Sequence, residues 1–155
     1  MSRKNKTFLL IVLALVVFTL TGCGKPKGHL KGTLTYTNLG TEKNGFVNHA
    51  EVTMNSTMNS TGLPIRSAFS DVNGQYQISN VLVGKYEVKA NFATATNLAD
   101  FAYHGSIHWG YYSLNNAEDE LCTADGSYPN LSITIGDVVI ADTTTTTLDF
   151  FLFGY

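Results

Sequence analysis

Residues 70–92, SDVNGQYQISNVLVGKYEVKANF, hold two short periodic runs separated by turn residues, and they decide the fold of the chain. Apolar residues occupy every second position of each run: Tyr76 and Ile78, then Tyr86, Val88 and Ala90. A period of two places the apolar side chains on one face of a strand and the Gln, Glu and Lys side chains between them on the other. The stretch therefore predicts two half-buried β-strands.

A tight turn is predicted immediately before the first of these strands. Asp71-Val72-Asn73-Gly74 supplies a side-chain oxygen that can cap the amides of the turn, followed by two residues that tolerate positive φ. Gly84 is expected to serve in the same way before the second strand. The order turn, strand, turn, strand is typical of an all-β domain.

The same stretch resembles the signature of the carboxypeptidase regulatory-like domain family, which reads roughly threonine-x-aspartate-x-x-glycine-x-tyrosine and then has a glycine-tyrosine pair. The matching residues here are Ser70, Asp71, Gly74, Tyr76, Gly84 and Tyr86. Family members also open with a glycine-centred strand, continue with an alanine-valine strand and close with threonines before an apolar strand. HLKGTLTY (29–36), NHAEVTM (48–54) and ADTTTTTLDFFLF (141–153) follow that order. The resemblance implies a transthyretin-like, Ig-like β-sandwich of about seven strands.

Further strands are predicted at about 29–37, 47–54, from 65 onward, 131–141 and 143–153, with Gly136 marking a bulge or break in the fourth of these. In the last strand Leu148, Phe150 and Leu152 alternate with Asp149, Phe151 and Phe153. This strand is apolar on both faces. We therefore expect it to be central in its sheet, or to be covered by the insert at about 93–130 or by a partner.

The first residues have the pattern of a secretion signal. Arg3, Lys4 and Lys6 precede the apolar run 8–20, which is shorter than the ~20 residues of a membrane-spanning helix. Leu20-Thr21-Gly22-Cys23 then resembles the lipobox of bacterial lipoproteins. That resemblance implies cleavage before Cys23 and a diacylglycerol on its sulfur, while an uncleaved anchor is the alternative. The predicted organisation is a signal peptide over 1–22, a lipidated cysteine and tether over 23–29, and the β-sandwich over 30–155.

The net charge and the predicted lipid anchor limit the classes of partner that we expect for this protein. The chain has 10 basic and 12 acidic residues, and cleavage after Gly22 would leave 7 basic residues and a side-chain net charge of −5. Nucleic acid is therefore not expected as a partner. The expected location is the cell envelope, lipid-anchored and extracytoplasmic, and the outer membrane if the host is Gram-negative. Two or three acyl chains suffice for durable attachment.

Residues 93–130 form an insert in which the strand pattern fades and aromatic residues accumulate. A long connection in a compact sandwich is either functional or structured in its own right. Aromatic faces beside carboxylates are typical of a sugar or peptide groove, although the same aromatics could simply cover the open end of the sandwich. The predicted ligand-binding residues are Tyr103, His108, Trp109, Tyr111 and Tyr112.

Other chemistry has little support in the sequence. If Cys23 is lipidated, Cys122 has no partner within the chain and is either buried or an exposed thiol. Asp100, His104 and His108 are evenly spaced, but no evident fourth ligand accompanies them, so no metal or other cofactor is predicted. No hydrolase, phosphate-loop or zinc-protease motif is present. We therefore expect a non-enzymatic module that binds a glycan or an envelope protein. The alternative is a structural or assembly subunit of an envelope complex.

Overall fold

A computed structural model describes residues 24–57, 65–98, 107–115, 120–122 and 132–154, with the backbone alone at 107–109, 111 and 120–122. These residues form ten β-strands and contain no helix. The strands are β1 (Lys27–Asn38), β2 (Lys43–Phe46), β3 (Glu51–Ser56), β4 (Arg66–Phe69), β5 (Gln75–Leu82), β6 (Gly84–Asn91), β7 (Ile107–Leu114), β8 (Glu120–Cys122), β9 (Ser132–Ile140) and β10 (Thr145–Gly154). The all-β prediction is confirmed.

The strands make two sheets. The six-stranded sheet has the order β2-β1-β10-β7-β8, and β5 pairs with the first half of β1 on the edge that β2 occupies further along. The four-stranded sheet has the order β4-β3-β6-β9. β1 and β10 run parallel, whereas the other pairs are antiparallel. Because β10 lies between β1 and β7, the prediction of a central last strand is confirmed.

All seven strands expected from the sequence are present, as β1, β3, β4, β5, β6, β9 and β10. Three more were not predicted: β2, and β7 and β8 inside the predicted insert. Part of the insert therefore extends the larger sheet. The first strand also begins earlier than expected, at Lys27, within the segment predicted as a tether.

The core lies between the two sheets, where the inward side chains of each strand meet. The larger sheet contributes Leu30, Leu34, Tyr76, Leu148, Phe150 and Leu152, and the smaller one Val52, Met54, Val88, Ala90, Ile133 and Ile140. All of these residues are buried. The alternation from which the central strands were predicted is confirmed, because Tyr76, Ile78, Tyr86, Val88 and Ala90 all face this core.

The turn before β5 is built as its sequence predicts. Asp71 Oδ1 accepts hydrogen bonds from the amides of Asn73 (2.8 Å) and Gln75 (2.9 Å). Gly74 has φ +70°, and a Cβ there would collide with the carbonyl oxygen of Leu34. The expectation for Gly84 is wrong. Among the described glycines only Gly74 has positive φ, and the positive φ nearest to the β5–β6 connection falls on Asn80 (φ 58°), inside β5.

The bulge predicted at Gly136 is confirmed. Tyr86 pairs with Val138, but the next inward residue of β6, Val88, pairs with Ile135, so β9 has one extra residue between these pairs. Asp137 takes positive φ (56°) there. This geometry is that of a β-bulge, which lets both flanking runs of β9 keep their apolar residues on the core.

Candidate ligand-binding surface

The outer face of the six-stranded sheet has two chemically distinct halves. Along β10 the outward positions are Thr145, Thr147, Asp149, Phe151 and Phe153, because the alternate residues are buried in the core. The polar members lie at the start of the strand and the two phenylalanines at its end. Both phenylalanines are half-buried, although the core formed by the described residues lies on the other side of the sheet.

Strand β7 brings two of the predicted site residues beside these phenylalanines. Tyr111 pairs with Phe151, and Trp109 pairs with Phe153. Residues directly opposite each other in an antiparallel pair lie on the same face of the sheet. The register therefore places Trp109 and Tyr111 on the outer face.

The aromatic half continues on the other side of β10. Thr35 pairs with Phe151 and also with Phe46 of β2, whose side chain is 48% exposed. On this face the order across the sheet is Phe46, Thr35, Phe151 and Tyr111. We call Phe46, Phe151, Phe153, Trp109 and Tyr111 the aromatic half.

The polar half occupies the same face of β5, β1 and the start of β10. Gln75 pairs with Thr33, and Gln77 pairs with Lys31, so these side chains lie in two neighbouring rows. Together with Asp149 and Thr147 they line an open groove of about 670 Å³, which Ala68 and Phe69 of β4 border. We call this feature the polar groove.

Beneath the groove the backbone hydrogen-bond ladder between β1 and β10 is interrupted, and two side chains bond to the backbone there. No ladder pair joins Gly32 and Thr33 of β1 to Leu148 and Asp149 of β10. Instead the Thr33 amide donates to Asp149 Oδ1 at 2.7 Å, and the Tyr76 hydroxyl donates to the Leu148 carbonyl at 2.7 Å. Burial raises the pKa of Tyr76 well above its ordinary value of 10.0, and the negative charge of Asp149 raises it further. Tyr76 is therefore a neutral hydrogen-bond donor at physiological pH.

The structure does not gather all of the predicted site residues. Tyr112 pairs with Phe150 and is partly buried against the core, on the face opposite Trp109 and Tyr111. His108 lies in β7 next to the register shift at its first pairs. Tyr103 and Cys23 lie outside the described residues. Only Trp109 and Tyr111 are therefore placed on one surface.

Sequence reasoning missed Phe46, Phe151 and Phe153 as members of this surface. A signal was available for the last two, since β10 was recognised as apolar on both faces. The missing step was the pairing of β7 with β10, which joins residues about 40 positions apart in the chain. Phe46 carried no comparable signal, because its strand has only four residues.

Cys122 lies in β8 opposite Gly110. A Cβ on Gly110 would contact the side chain of Ile133 in the core, so this row belongs to the inner face of the sheet. The register therefore places Cys122 on the inner face. Within the described residues, no group of three His, Cys, Asp or Glu side chains could hold a metal ion.

Comparisons with known proteins add little about function. No protein-family model matches the chain, and no curated protein matches it either. Among solved structures, it is similar to a candidate carbohydrate-binding protein from Pseudomonas aeruginosa, with 10% identity and a TM-score of 0.45, over 84% of this chain and 93% of the other. It is also similar to a minor pilin of Streptococcus agalactiae, with 11% identity and a TM-score of 0.44, over 84% of this chain and 46% of the pilin.

A third similar structure is an enzyme, (S)-allantoin synthase, with 9% identity and a TM-score of 0.41, over 90% of this chain and 47% of the enzyme. The chain thus spans about half the length of the pilin and of the synthase. Similarity at this level of identity does not transfer a function, because one fold hosts many roles. Any function assigned to this chain must therefore rest on the residues of its own sheet face.

Proposed function

We propose that this chain is a non-enzymatic, lipid-anchored binding module of the bacterial cell envelope, and that it binds its ligand on the outer face of the six-stranded sheet. The single observation that carries the proposal is the register of β7 on β10, which puts Trp109 and Tyr111 beside Phe151 and Phe153. Aromatic residues clustered on one surface are typical of sites that hold a sugar ring or an apolar side chain.

A membrane anchor at Cys23 would present this surface away from the lipid. The Pro26 carbonyl accepts a hydrogen bond from Val83, and the Lys27 carbonyl accepts one from Thr143. These bonds fix the start of β1 to the β5–β6 and β9–β10 turns. The aromatic half lies toward the far end of β1 and β10, so the anchor leaves it accessible to a ligand.

The described residues contain no helix long and apolar enough to span a membrane. Attachment in this proposal therefore rests on the lipobox at residues 20–23 and on its acyl chains. Metabolic labelling with radioactive palmitate, followed by fractionation, tests the anchor. Wild type is expected to carry label and sediment with membranes, whereas Cys23→Ser is expected to carry none. An unlabelled wild type would remove the anchor from the proposal.

A second candidate function is assembly with another envelope protein, and strand β9 favours it. Among the described strands, β9 pairs only with β6 and forms an edge of the four-stranded sheet, and it is nine residues long. An unpaired edge can accept a strand from another chain. Solution mass separates the two candidates, since a stable monomer favours ligand binding and a defined oligomer or co-purifying protein favours assembly.

The ligand-binding proposal is tested by a glycan and peptidoglycan screen of residues 24–155. Trp109→Ala and Phe151→Ala are expected to lose binding, while Val139→Ala, which shortens a half-exposed side chain on the other sheet, is expected to retain it. Circular dichroism and thermal unfolding confirm that each variant is folded. Well-folded wild type that binds nothing would overturn the proposal and favour assembly.

A further inference from the structure

The polar groove offers hydrogen-bonding groups that the fold does not use. Within the described residues Lys31 makes no ion pair, and the side-chain amide of Gln75 makes no hydrogen bond. Asp149 uses Oδ1 to accept from the Thr33 amide, which fixes the carboxylate, and its Oδ2 accepts no hydrogen bond from the part of the chain that the structure describes. These groups belong to three neighbouring strands and line one groove. A positioned donor, amide and acceptor on a rigid sheet are what a polar ligand requires.

The groove also has an aromatic wall that is already held in place. Phe69 borders it and is 48% exposed. Its ring stacks on His49 with ring centroids 4.6 Å apart and an interplanar angle of 14°. Fixing a side chain before binding lowers the entropy lost when a ligand contacts it.

We propose that the polar groove binds vicinal hydroxyl groups of a carbohydrate chain, so that the ligand of this module is an oligosaccharide and not a peptide. This inference rests on the proposed function and names its ligand class. Asp149 and Gln75 accept hydrogen bonds from ring hydroxyls, and Lys31 and the Gln75 amide nitrogen donate to hydroxyl oxygens. Phe69 packs against an apolar face of a sugar ring.

The position of the groove on the sheet disfavours a peptide. An extended peptide gains affinity by adding a strand to a free sheet edge, where backbone groups are unpaired. Here the groove crosses the face of β5, β1 and β10. β1 and β10 are interior strands, and side chains of Asp149 and Tyr76 bond the backbone where their ladder is interrupted. Among the described strands β5 pairs only with β1, so only its outer edge is unpaired. Across β1 and β10 recognition must therefore come from side chains.

Charge favours a neutral or weakly charged ligand. The groove holds the cation of Lys31 together with the carboxylates of Asp149 and Asp71, and Asp71 is already occupied by two amides of its own turn. Lys31 and Asp149 lie on adjacent strands, and Asp149 is two residues beyond Thr147, the residue of β10 that pairs with Lys31. Their opposite charges compensate each other and leave the single negative charge of Asp71, so the groove disfavours a strongly anionic ligand and offers a strongly cationic one only one carboxylate.

The groove and the aromatic half are close enough to serve one chain of sugars. Asp149 and Phe151 are successive outward positions of β10, as Thr33 and Thr35 are of β1. Successive positions on one face of a strand are about 7 Å apart. An oligosaccharide with one ring stacked on the aromatic half would therefore reach the polar groove with the next one or two sugar units.

Titration calorimetry with residues 24–155 tests the inference. The probes are chitotetraose, cellotetraose and mannotetraose, with the stem tetrapeptide of peptidoglycan as the peptide probe. Wild type is expected to bind a tetrasaccharide and not the tetrapeptide. Lys31→Ala combined with Gln75→Ala, and separately Asp149→Asn, are expected to weaken binding roughly tenfold or more. Asp149→Asn keeps an oxygen that can accept from Thr33, so it removes charge with little change to the fold.

Two controls separate this inference from the proposed function. Lys89→Ala removes an exposed lysine from the other sheet and is expected to bind as wild type does. Phe151→Ala tests the aromatic half alone. Loss of sugar binding in Phe151→Ala with full binding in the groove variants would overturn this inference and leave the proposed function standing. Binding of the tetrapeptide in place of a sugar would also overturn this inference and leave the proposed function standing. Absence of any binding by wild type would overturn both the inference and the proposed function.

Discussion

Tyr76 shows how a single side chain can replace part of a β-ladder. Its ring lies beneath Gly32, where a Cβ would contact both the ring and the Leu148 backbone, and its hydroxyl donates to the Leu148 carbonyl. A buried carbonyl without a donor costs about 1–3 kcal/mol. The hydroxyl therefore compensates for the ladder pairs that β1 and β10 do not make at this point.

Tyr76→Phe is expected to lower the free energy of unfolding by about 1–3 kcal/mol near neutral pH, because the Leu148 carbonyl loses its donor. Tyr86→Phe is the matched control. Tyr86 also donates to a backbone carbonyl, that of Leu82 at 2.8 Å, but this bond is only partly buried. Urea unfolding of the two variants measures the difference. An equal loss in both would contradict the role given to Tyr76.

The raised pKa of Tyr76 also predicts a pH dependence. In the unfolded chain the hydroxyl ionises near its ordinary pKa of 10.0, whereas in the folded protein it stays protonated to higher pH. Its contribution to stability is therefore complete below about pH 10 and is lost as the pH rises from there through the folded-state pKa. Urea unfolding between about pH 8 and pH 11 should show a steeper alkaline loss for wild type than for Tyr76→Phe. Parallel curves would contradict this.

At the scale of elements, β7 shows what sequence periodicity can and cannot give. The seven predicted strands alternate apolar and polar residues or are uniformly apolar, and periodicity identified them. The sequence of β7, IHWGYYSL, has aromatic residues at both kinds of position and a glycine between them. The register puts Tyr112 in a row of the inner face and Trp109 and Tyr111 in rows of the outer face, so no alternation of apolar and polar residues is visible in the sequence. Its place beside β10 depends on a long-range pairing that no local pattern encodes.

Three glycines in β1, β7 and β9 differ in the space that a Cβ would find, and this difference predicts how much an alanine would destabilise each strand's packing. A Cβ on Gly32 would collide with the Leu148 carbonyl, which is backbone and cannot rotate away. A Cβ on Gly110 would contact the terminal methyl of Ile133 at 2.6 Å and the Phe151 carbonyl oxygen at 3.0 Å, and the methyl can shift. A Cβ on Gly136 would have no heavy atom within 4 Å.

We therefore expect Gly32→Ala to cost about 3 kcal/mol or more and Gly110→Ala about 1–3 kcal/mol, as overpacking typically does. Gly136→Ala is expected to be neutral or to stabilise by up to about 1 kcal/mol, because it restricts the unfolded chain. Thermal and urea unfolding of the three variants establish the order. A Gly110→Ala variant as stable as Gly136→Ala would show that β7 does not pack on Ile133 in solution.

At the scale of the whole molecule, the strand order fixes which end would face a membrane. If Cys23 carries lipid, only Gly24 and Lys25 separate it from Pro26, whose carbonyl is bonded to Val83. Such a tether spans about 10 Å when extended. The β5–β6 and β9–β10 turns would then lie near the headgroups. The far end of β1, where Leu39 donates to the Gly154 carbonyl, would lie roughly 35 Å away along the strand.

Fluorophores at the two ends test this orientation in lipidated protein on vesicles that carry a headgroup quencher. Val83→Cys and Leu39→Cys, each made in a Cys122→Ser background, place a label on side chains that are 43% and 39% exposed. The label at position 83 is expected to be quenched strongly and the label at 39 weakly, because quenching falls steeply with distance from the headgroups. The soluble form made from residues 24–155 supplies the unquenched control. Equal quenching at both positions would mean that the sandwich lies flat on the bilayer, with the aromatic half as close to the lipid as the anchor.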